Sequence, residues 1–313
     1  MKSGRNITVS APAKINLLGE HANVYGKPTI LTAIDLRATV TISQGRTIQK
    51  DFVFLQKIIE KIIKKELKLK KIPLYSLNLS SKIPMGCGLG SSASLSAAYI
   101  GALLSYLRVK WDVNLINRLT FEAEKVFHGN PSGSDNSSVV FGGLIWFRKE
   151  SPDLKLIHPL SFSIPSKLSR SFVLINTGKP SESTKDMVAL VKNLYDKNPK
   201  LVDKVLEEQE KLVKELIPVL KKVNQKEFIR IIRKGEKNLE SIGVVGKKAK
   251  KIIRKIESLG GTAKISGAGG VIADSGIILC FHKSKKVVIN IAKVYNLPYF
   301  SVKLGVEGVR IEK

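Results

Sequence analysis

Cysteine is scarce in this 313-residue sequence, which contains only Cys87 and Cys280 at unrelated positions. This scarcity excludes a disulfide framework and a structural zinc site, and it predicts a reduced, soluble, cytoplasmic protein. No run of about 18 apolar residues occurs, so we expect no membrane-spanning helix. Polar residues interrupt the first ten positions, and we therefore expect no signal peptide there.

Acidic residues are also few: 26 of them face 53 lysines and arginines, giving a formal net charge of +27. An excess of this size attracts polyanions, so a basic nucleic-acid-binding protein is one hypothesis. The lysines, however, fall in segments such as 57–65 and 247–255, where apolar residues recur at helical spacing. This pattern indicates amphipathic helices with solvated lysine faces. Aromatic residues make up only 6% and do not interleave with the basic runs, so we expect no dedicated nucleic-acid partner.

Two familiar phosphate-binding signatures are missing. No Walker motif occurs, because Gly246-Lys247 is followed by Lys248, and the protein-kinase signatures His-Arg-Asp and Asp-Phe-Gly are absent as well. A different glycine-rich segment is present instead, and we call it the glycine loop. It comprises Pro84, Met85, Gly86, Cys87, Gly88, Leu89, Gly90, Ser91 and Ser92.

The glycine loop has the composition of an anion site. Glycine backbones can present successive N–H groups to a phosphate, and a helix that starts at the serines would direct its positive end at the same anion. A serine hydroxyl at that point can bind magnesium or a phosphate oxygen. A glycine turn followed by a serine cap is the alternative without a ligand.

The alternation of strands and helices predicts an α+β protein. The chain is long enough for two domains, and a composition change near 150–170 indicates a boundary between 1–165 and 166–313. Strands are predicted at 6–18, 30–42, 74–79, 143–148, 172–177, 262–266, 277–281 and 300–311. Helices are predicted at 51–67, 91–107, 112–127 and 285–295, and within 183–258. We expect a loop at 128–137, and we expect Pro218 to end or kink a helix.

The glycine loop resembles the phosphate-binding loop of the GHMP kinases, a family of small-molecule kinases. The segment 11–28 resembles the N-terminal motif of the mevalonate kinase branch of that family. This resemblance implies that Lys14 lies beside the catalytic carboxylate and the transferred phosphate. It further implies that Glu20, His21 and Tyr25 lie at the acceptor site. Without the resemblance, Glu20 and His21 would be interpreted as two loop residues whose polar groups have partners and no functional role.

The segment 128–136 resembles a second motif of the family. The match implies that Asp135 is the catalytic carboxylate, with Ser132 and Gly133 at the substrate, and that Glu124 and Ser92 are magnesium ligands. One serine and one carboxylate suffice chemically, because magnesium fills its other positions with water and phosphate oxygens. Taken alone, Asp135 would be a turn former and Glu124 a surface charge.

Two further segments complete the resemblance. Within 177–185, Thr184 is expected near the acceptor, although a helix cap is an alternative. The segment 261–270 resembles the third glycine-rich motif of the family, with Gly267 and Ala268 at the substrate. It departs from the family pattern because 271–276 intervenes before the next strand, so we expect that loop to be longer or pushed aside.

The resemblance implies a two-domain GHMP kinase fold, with an N-terminal domain like ribosomal protein S5 domain 2 and a ferredoxin-like C-terminal domain. It implies ATP and mevalonate as partners, Mg²⁺ as cofactor, and phosphorylation of the mevalonate 5-hydroxyl in isoprenoid biosynthesis. Another GHMP small-molecule kinase, such as phosphomevalonate kinase, is the alternative within the family, whereas the aspartate at 135 disfavours homoserine kinase. A noncatalytic nucleic-acid-binding protein on an S5-like fold is the alternative outside it. A homodimer stays open at this point.

Overall fold

The computed structural model of the protein describes residues 6–48, 50–129, 131–151 and 154–313. Asn130, which belongs to the 128–136 motif, lies outside these residues. Within the described ranges, ten strands form two antiparallel sheets. The strands are β1 (Ile7–Leu18), β2 (Thr29–Gln44), β3 (Tyr75–Ser81), β4 (Leu144–Lys149), β5 (Lys155–Pro159), β6 (Phe172–Asn176), β7 (Thr262–Ser266), β8 (Ile277–Phe281), β9 (Tyr299–Val302) and β10 (Arg310–Ile311).

Helices connect and cover these strands. They are α1 (Val53–Glu66), α2 (Ser91–Tyr106), α3 (Val113–His128), α4 (Ser134–Phe141), α5 (Ser166–Ser169), α6 (Thr184–Lys197), α7 (Pro199–Lys222), α8 (Gln225–Ser241), α9 (Lys247–Ser258) and α10 (Lys285–Val294). Two short 3₁₀ helices add Ala22–Tyr25 and Lys50–Phe52.

The first sheet has the strand order β10-β1-β2-β4-β5, with β3 paired to the other part of β2. Helix α2 packs against β1, β2 and α3, and its alanines, serines and Gly101 allow this close packing on several sides. A Cβ atom on Gly101 would lie 3.1 Å from a methyl carbon of Val9. The hydroxyls of buried Ser94 and half-buried Ser105 donate to carbonyls one turn earlier, at 2.8 Å each.

The second sheet has the order β7-β8-β6-β9. Helices α8, α9 and α10 contact it. In α9, Ala249, Ile252, Ile253 and Ile256 are buried, whereas Lys251 is exposed, which confirms the amphipathic pattern predicted for 247–255. One apolar cluster includes side chains of both sheets, for example Leu17 and Leu174. The two sheets therefore share a core, and the site described below lies where they meet.

Most predicted elements are confirmed, and the α+β class is confirmed with them. Three expectations were wrong in detail. The loop predicted at 128–137 ends early because α4 begins at Ser134. The strand predicted at 300–311 is divided between two sheets, since β9 pairs with β6 and β10 pairs with β1. Of the two outcomes expected at Pro218, the end of a helix is wrong, because α7 continues to Lys222, and a kink stays a prediction.

The division into domains at residue 165 stays a prediction. Strands β1 to β5 precede that position and β6 to β9 follow it, each set in its own sheet. Strand β10 also follows residue 165 but belongs to the first sheet, since Ile311 of β10 pairs with Val9 of β1. The described residues contain no helix long and apolar enough to cross a membrane.

Candidate active site

The glycine loop connects β3 to α2, and its conformation depends on its three glycines. Gly86, Gly88 and Gly90 have φ angles of 71°, 80° and 72°, in a region that residues with a Cβ rarely adopt. Cys87 and Leu89 are buried in the cluster shared by the two sheets, whereas Gly86 and Gly88 are exposed. The loop therefore anchors itself by alternate side chains and presents backbone to solvent at the N-terminus of α2, where anions bind favourably.

Lys14 lies directly beneath this loop. The pairing of β1 with β2 shifts register between Pro12 and Ala13, and such bulges redirect the side chains that follow. The Lys14 backbone N–H donates to the Leu89 carbonyl at 3.0 Å. A Cβ atom on Gly90 would lie 2.9 Å from Lys14 Cγ, so glycine at position 90 makes room for the lysine side chain.

The Lys14 ammonium pairs with Asp135. Its Nζ lies 3.0 Å from Asp135 Oδ1, and the lysine side chain is 8% exposed whereas the aspartate is 40% exposed. Asp135 occupies the first turn of α4, behind Gly133 with φ 90°, where the helix dipole favours a carboxylate. The arrangement presents a solvent-accessible carboxylate beside a nearly buried ammonium group.

Ser132 and Gly133 adjoin this pair. The Ser132 hydroxyl lies 2.7 Å from the Ser134 hydroxyl, which donates to Asp135 Oδ1 at 3.3 Å. The two serines thus form a short hydrogen-bonded chain that ends on the carboxylate. The structure brings Ser132, Gly133, Asp135 and Lys14 together, as the motif predicts.

Glu124 is a buried carboxylate close to the same pair. Burial raises the pKa of Glu124 to about 7, the Asp135 carboxylate adds to the rise, and Ser92 and Lys14 act in the opposite direction. Glu124 Oε1 is buried and has no hydrogen-bond partner in the described part of the chain. An orphan carboxylate oxygen beside a serine hydroxyl is a donor set of the kind that magnesium prefers. Glu124 and Ser92 therefore fit the predicted metal.

His128 belongs to this group, although the sequence analysis did not select it. Its Nε2 lies 3.2 Å from Ser92 Oγ and 3.6 Å from Glu124 Oε2. Its position four residues after Glu124 on α3 places both side chains on one face of the helix. That spacing was the signal in the sequence that could have identified it.

Glu20 and His21 follow β1, and both are buried. His21 Nε2 lies 2.9 Å from the Ala268 carbonyl oxygen, and Gly267 before it has φ 98°. Burial lowers the pKa of His21, while the Ala268 contact and the Glu20 carboxylate oppose that shift. Glu20, His21, Gly267 and Ala268 therefore form one group at the junction of the two sheets.

Tyr25 and Thr184 lie apart from that group in their observed contacts. The Tyr25 ring stacks on Tyr195, with centroids 5.6 Å apart. Thr184 is exposed and is the first residue of α6, whose cap is Ser183 in a capping box with Asp186. The helix cap is therefore Ser183 and not Thr184. A role for either residue in binding the acceptor stays a prediction.

The atypical segment 267–276 is firmly held in place. Glu182 Oε1 accepts hydrogen bonds from the backbone N–H groups of Val271 and Ile272, at 2.9 Å each. Ser275 donates to the Gly270 carbonyl at 2.8 Å, and Lys248 pairs with Asp274 at 2.7 Å. The inserted residues are therefore held by Glu182, just before α6, and by Lys248 of α9, while Ala268 contacts His21.

Comparison with known proteins agrees with this geometry. Residues 54–143 match the family model of the GHMP kinases N terminal domain. The chain is 31% identical to a mevalonate kinase of Archaeoglobus fulgidus, over 97% of this chain and 99% of that protein. It is 28% identical to a mevalonate kinase of Pyrococcus abyssi, over 99% and 98% of the two chains. The crystal structure of the Methanococcus jannaschii mevalonate kinase superposes with a TM-score of 0.80 at 23% identity, covering 97% of this chain and 99% of that one.

Proposed function

The chain belongs to the mevalonate kinase family of the GHMP kinases, and on that premise we propose that it transfers the γ-phosphoryl group of ATP to the 5-hydroxyl of mevalonate. The product is 5-phosphomevalonate, an intermediate of isoprenoid biosynthesis. The observation that carries the proposal is the ion pair between Lys14 and Asp135 at the base of the glycine loop. Asp135 supplies a base and Lys14 a cation. Both lie where a phosphate held by the glycine loop would meet the acceptor.

In the transfer step, Asp135 accepts the proton of the mevalonate 5-hydroxyl. The oxygen of that hydroxyl forms a bond to the γ-phosphorus of ATP at the same time. The bond from that phosphorus to the β,γ-bridging oxygen breaks, and ADP leaves. The Lys14 ammonium lies 3.0 Å from the Asp135 carboxylate and fixes its position. The lysine also stabilises negative charge on the transferred group. Positioning and electrostatic stabilisation of this kind account for most catalysis of phosphoryl transfer.

The glycine loop binds the phosphates of ATP through its backbone N–H groups and the N-terminus of α2. Ser92 and Glu124 would hold Mg²⁺, which when bound neutralises phosphate charge. Glu124 is buried beside Asp135, so an ion there would remove the cost of ionising it. His128, in contact with both ligands, orients them.

Glu20, His21, Gly267 and Ala268 form the acceptor side of the site in this proposal, with Ser132 and Gly133 beside the base. Tyr25 and Thr184 complete it only if they approach when the acceptor binds. Cytoplasmic location and a homodimer stay predictions.

A coupled ADP-release assay tests the proposal. The panel is mevalonate, phosphomevalonate, galactose and homoserine, and we expect activity with mevalonate alone. Preferred turnover of phosphomevalonate would transfer the assignment to the other branch of the family. Asp135→Asn is the control that ties any activity to this site.

A gel-shift assay across salt concentrations addresses the noncatalytic alternative. Phosphate-driven binding to nucleic acid weakens steeply with salt. Tight binding at physiological salt in a protein without kinase activity would overturn the proposal.

A further inference from the structure

Lys264 is a charged residue at the centre of a fully buried strand. It lies in β7 and is 0% exposed. Its ammonium group donates to the Ile265 carbonyl at 2.6 Å and to the Asn16 carbonyl at 3.4 Å, and it forms an ion pair with Glu20 Oε1. An ammonium has three N–H donors, so these three acceptors satisfy it completely. An ammonium buried to this extent is stable only with such partners.

A second carboxylate, Glu236 of α8, lies in the same environment. It is also 0% exposed, and its Oε2 accepts a hydrogen bond from the Ile265 N–H at 3.0 Å. Burial raises the pKa of Glu236 well above the ordinary value, and Lys264 opposes this shift. The Lys264 ammonium forms its ion pair with Glu20, whereas Glu236 is held by the Ile265 N–H.

This cluster connects the two sheets directly behind the predicted acceptor residues. The Asn16 backbone N–H donates to Ser266 Oγ at 3.2 Å. Two residues further along the chain, Ala268 meets His21 at 2.9 Å. Lys264 thus lies at the centre of a row of contacts that joins the end of β1 to the end of β7. Within the described residues, Glu20 Oε2 has no hydrogen-bond partner, so one oxygen of the paired carboxylate keeps its capacity to accept.

We propose that Lys264 is a positioning residue for the acceptor. Its ion pair fixes the Glu20 carboxylate, and thereby the position of the loop that follows β1 relative to the turn at Gly267 and Ala268. This inference rests on the proposed function, because it concerns the acceptor side of that site. It assigns no contact between Lys264 and substrate. The hydrogen bonds of the Lys264 ammonium go to Asn16, Glu20 and Ile265, which lie outside the glycine loop, so we expect a smaller effect on the nucleotide side.

Lys264→Met tests the inference, because methionine has a similar length and no charge. We expect the KM for mevalonate to rise about tenfold or more, as for loss of a charge-assisted hydrogen bond, with the KM for ATP changing less than about twofold. Lys214→Met is the matched control, since it removes an exposed lysine that pairs with Glu210. It should leave both KM values unchanged.

The double variant Lys264→Met/Glu20→Gln separates positioning from folding. Removing only the lysine leaves Glu20 as an unpaired buried charge, so the single variant should melt several degrees lower. The double variant should recover most of that loss, while the KM for mevalonate stays high because the carboxylate is gone. If the single variant is too unstable to assay, the double variant still gives both measurements.

A folded Lys264→Met protein with wild-type KM for mevalonate would overturn the inference. Equal increases in both KM values would do the same, because they indicate general damage. If the wild type prefers another alcohol of the panel, the proposed function fails, and the comparison is made with that alcohol. The melting measurements need no substrate, so failure of the ion-pair argument is distinguishable from failure of the assignment.

Discussion

The Nζ atom of Lys14 lies 3.0 Å from Oδ1 of Asp135, and the lysine is nearly buried while the aspartate remains open to solvent. This asymmetry separates two roles. The lysine is held by the fold and has little freedom to move, whereas the carboxylate can reach an incoming hydroxyl. Substituting the aspartate therefore removes chemistry without removing the support beneath it.

Asp135→Asn should lower kcat by roughly a hundredfold or more, because general-base and positioning roles are worth about 10²–10⁴. ATP binding should persist, since the shape of the side chain is nearly unchanged. Turnover and nucleotide affinity are measured on the same preparation. Asp203→Asn, which alters an exposed aspartate bonded to Tyr195, should behave as wild type. Wild-type turnover in Asp135→Asn would remove this residue from the mechanism.

Glu124→Gln and Ser92→Ala should each raise the magnesium concentration that gives half-maximal rate, because each removes an oxygen ligand. Excess magnesium should restore activity in at least one of them. Glu122→Gln is the matched control on the same helix, since Glu122 is exposed and pairs with Lys125. An unchanged magnesium dependence in both site variants would place the metal elsewhere.

Glu236→Gln should stabilise the protein increasingly as pH rises. The folded-state pKa of Glu236 lies well above its ordinary value because of burial. Between the two pKa values the unfolded chain loses a proton that the folded protein retains, so this group lowers stability by about 1.4 kcal/mol per pH unit. Glutamine has no such proton. The gain should be absent below the ordinary pKa of glutamate and grow above it.

Thermal unfolding of the wild type and of Glu236→Gln at several pH values shows whether the stability gain of the variant grows with pH. The groups that act on Glu236 are Lys264, Glu20 and Glu240, and all are retained in the variant. A melting difference that does not change with pH would show that Glu236 is ionised in the folded protein.

The positive charge of the protein should accelerate capture of its anionic substrates at low ionic strength. We expect kcat/KM to fall moderately as salt reduces the Debye length to about 10 Å, with kcat little changed. Neutralising five distant lysines should flatten this dependence without abolishing activity. These are Lys61, Lys64, Lys65, Lys250 and Lys251. Micromolar or tighter nucleic-acid binding that the same substitutions abolish would instead indicate a second function.

The resemblance to family motifs predicted that the glycine loop, Asp135 and Glu124 belong to one site, and the structure places them close together. Taken alone, neither Asp135 nor Glu124 carries such a signal. Helix α4 was missed because its first turn is rich in serine and asparagine, which have low helix propensity. Burial of Val139 and Val140 overrides that preference. The strand predicted at 300–311 is broken at Gly305, where φ is 72°.

Long-range partners could not be predicted in the same way. From the sequence alone, Lys264 would be interpreted as a solvated surface charge. Only the fold shows that Asn16 and Glu20, in β1 and the loop after it, are its partners. Its role depends on tertiary contacts, and no local pattern encodes them. His128 is intermediate, because helical spacing relates it to Glu124 but only the fold relates it to Ser92.

The pairing of β10 with β1 fixes an order of events during synthesis. Val9 can receive its partner Ile311 only after the roughly 300 residues between them have been synthesised. Contacts of Gly305 with Ala33 and of Val309 with Val140, at 2.8 and 3.1 Å, arrive equally late. Until then the edge of β1 exposes unpaired backbone groups, which can recruit other chains. A nascent chain that stalls before residue 304 therefore keeps this edge of β1 open to proteases and to other chains.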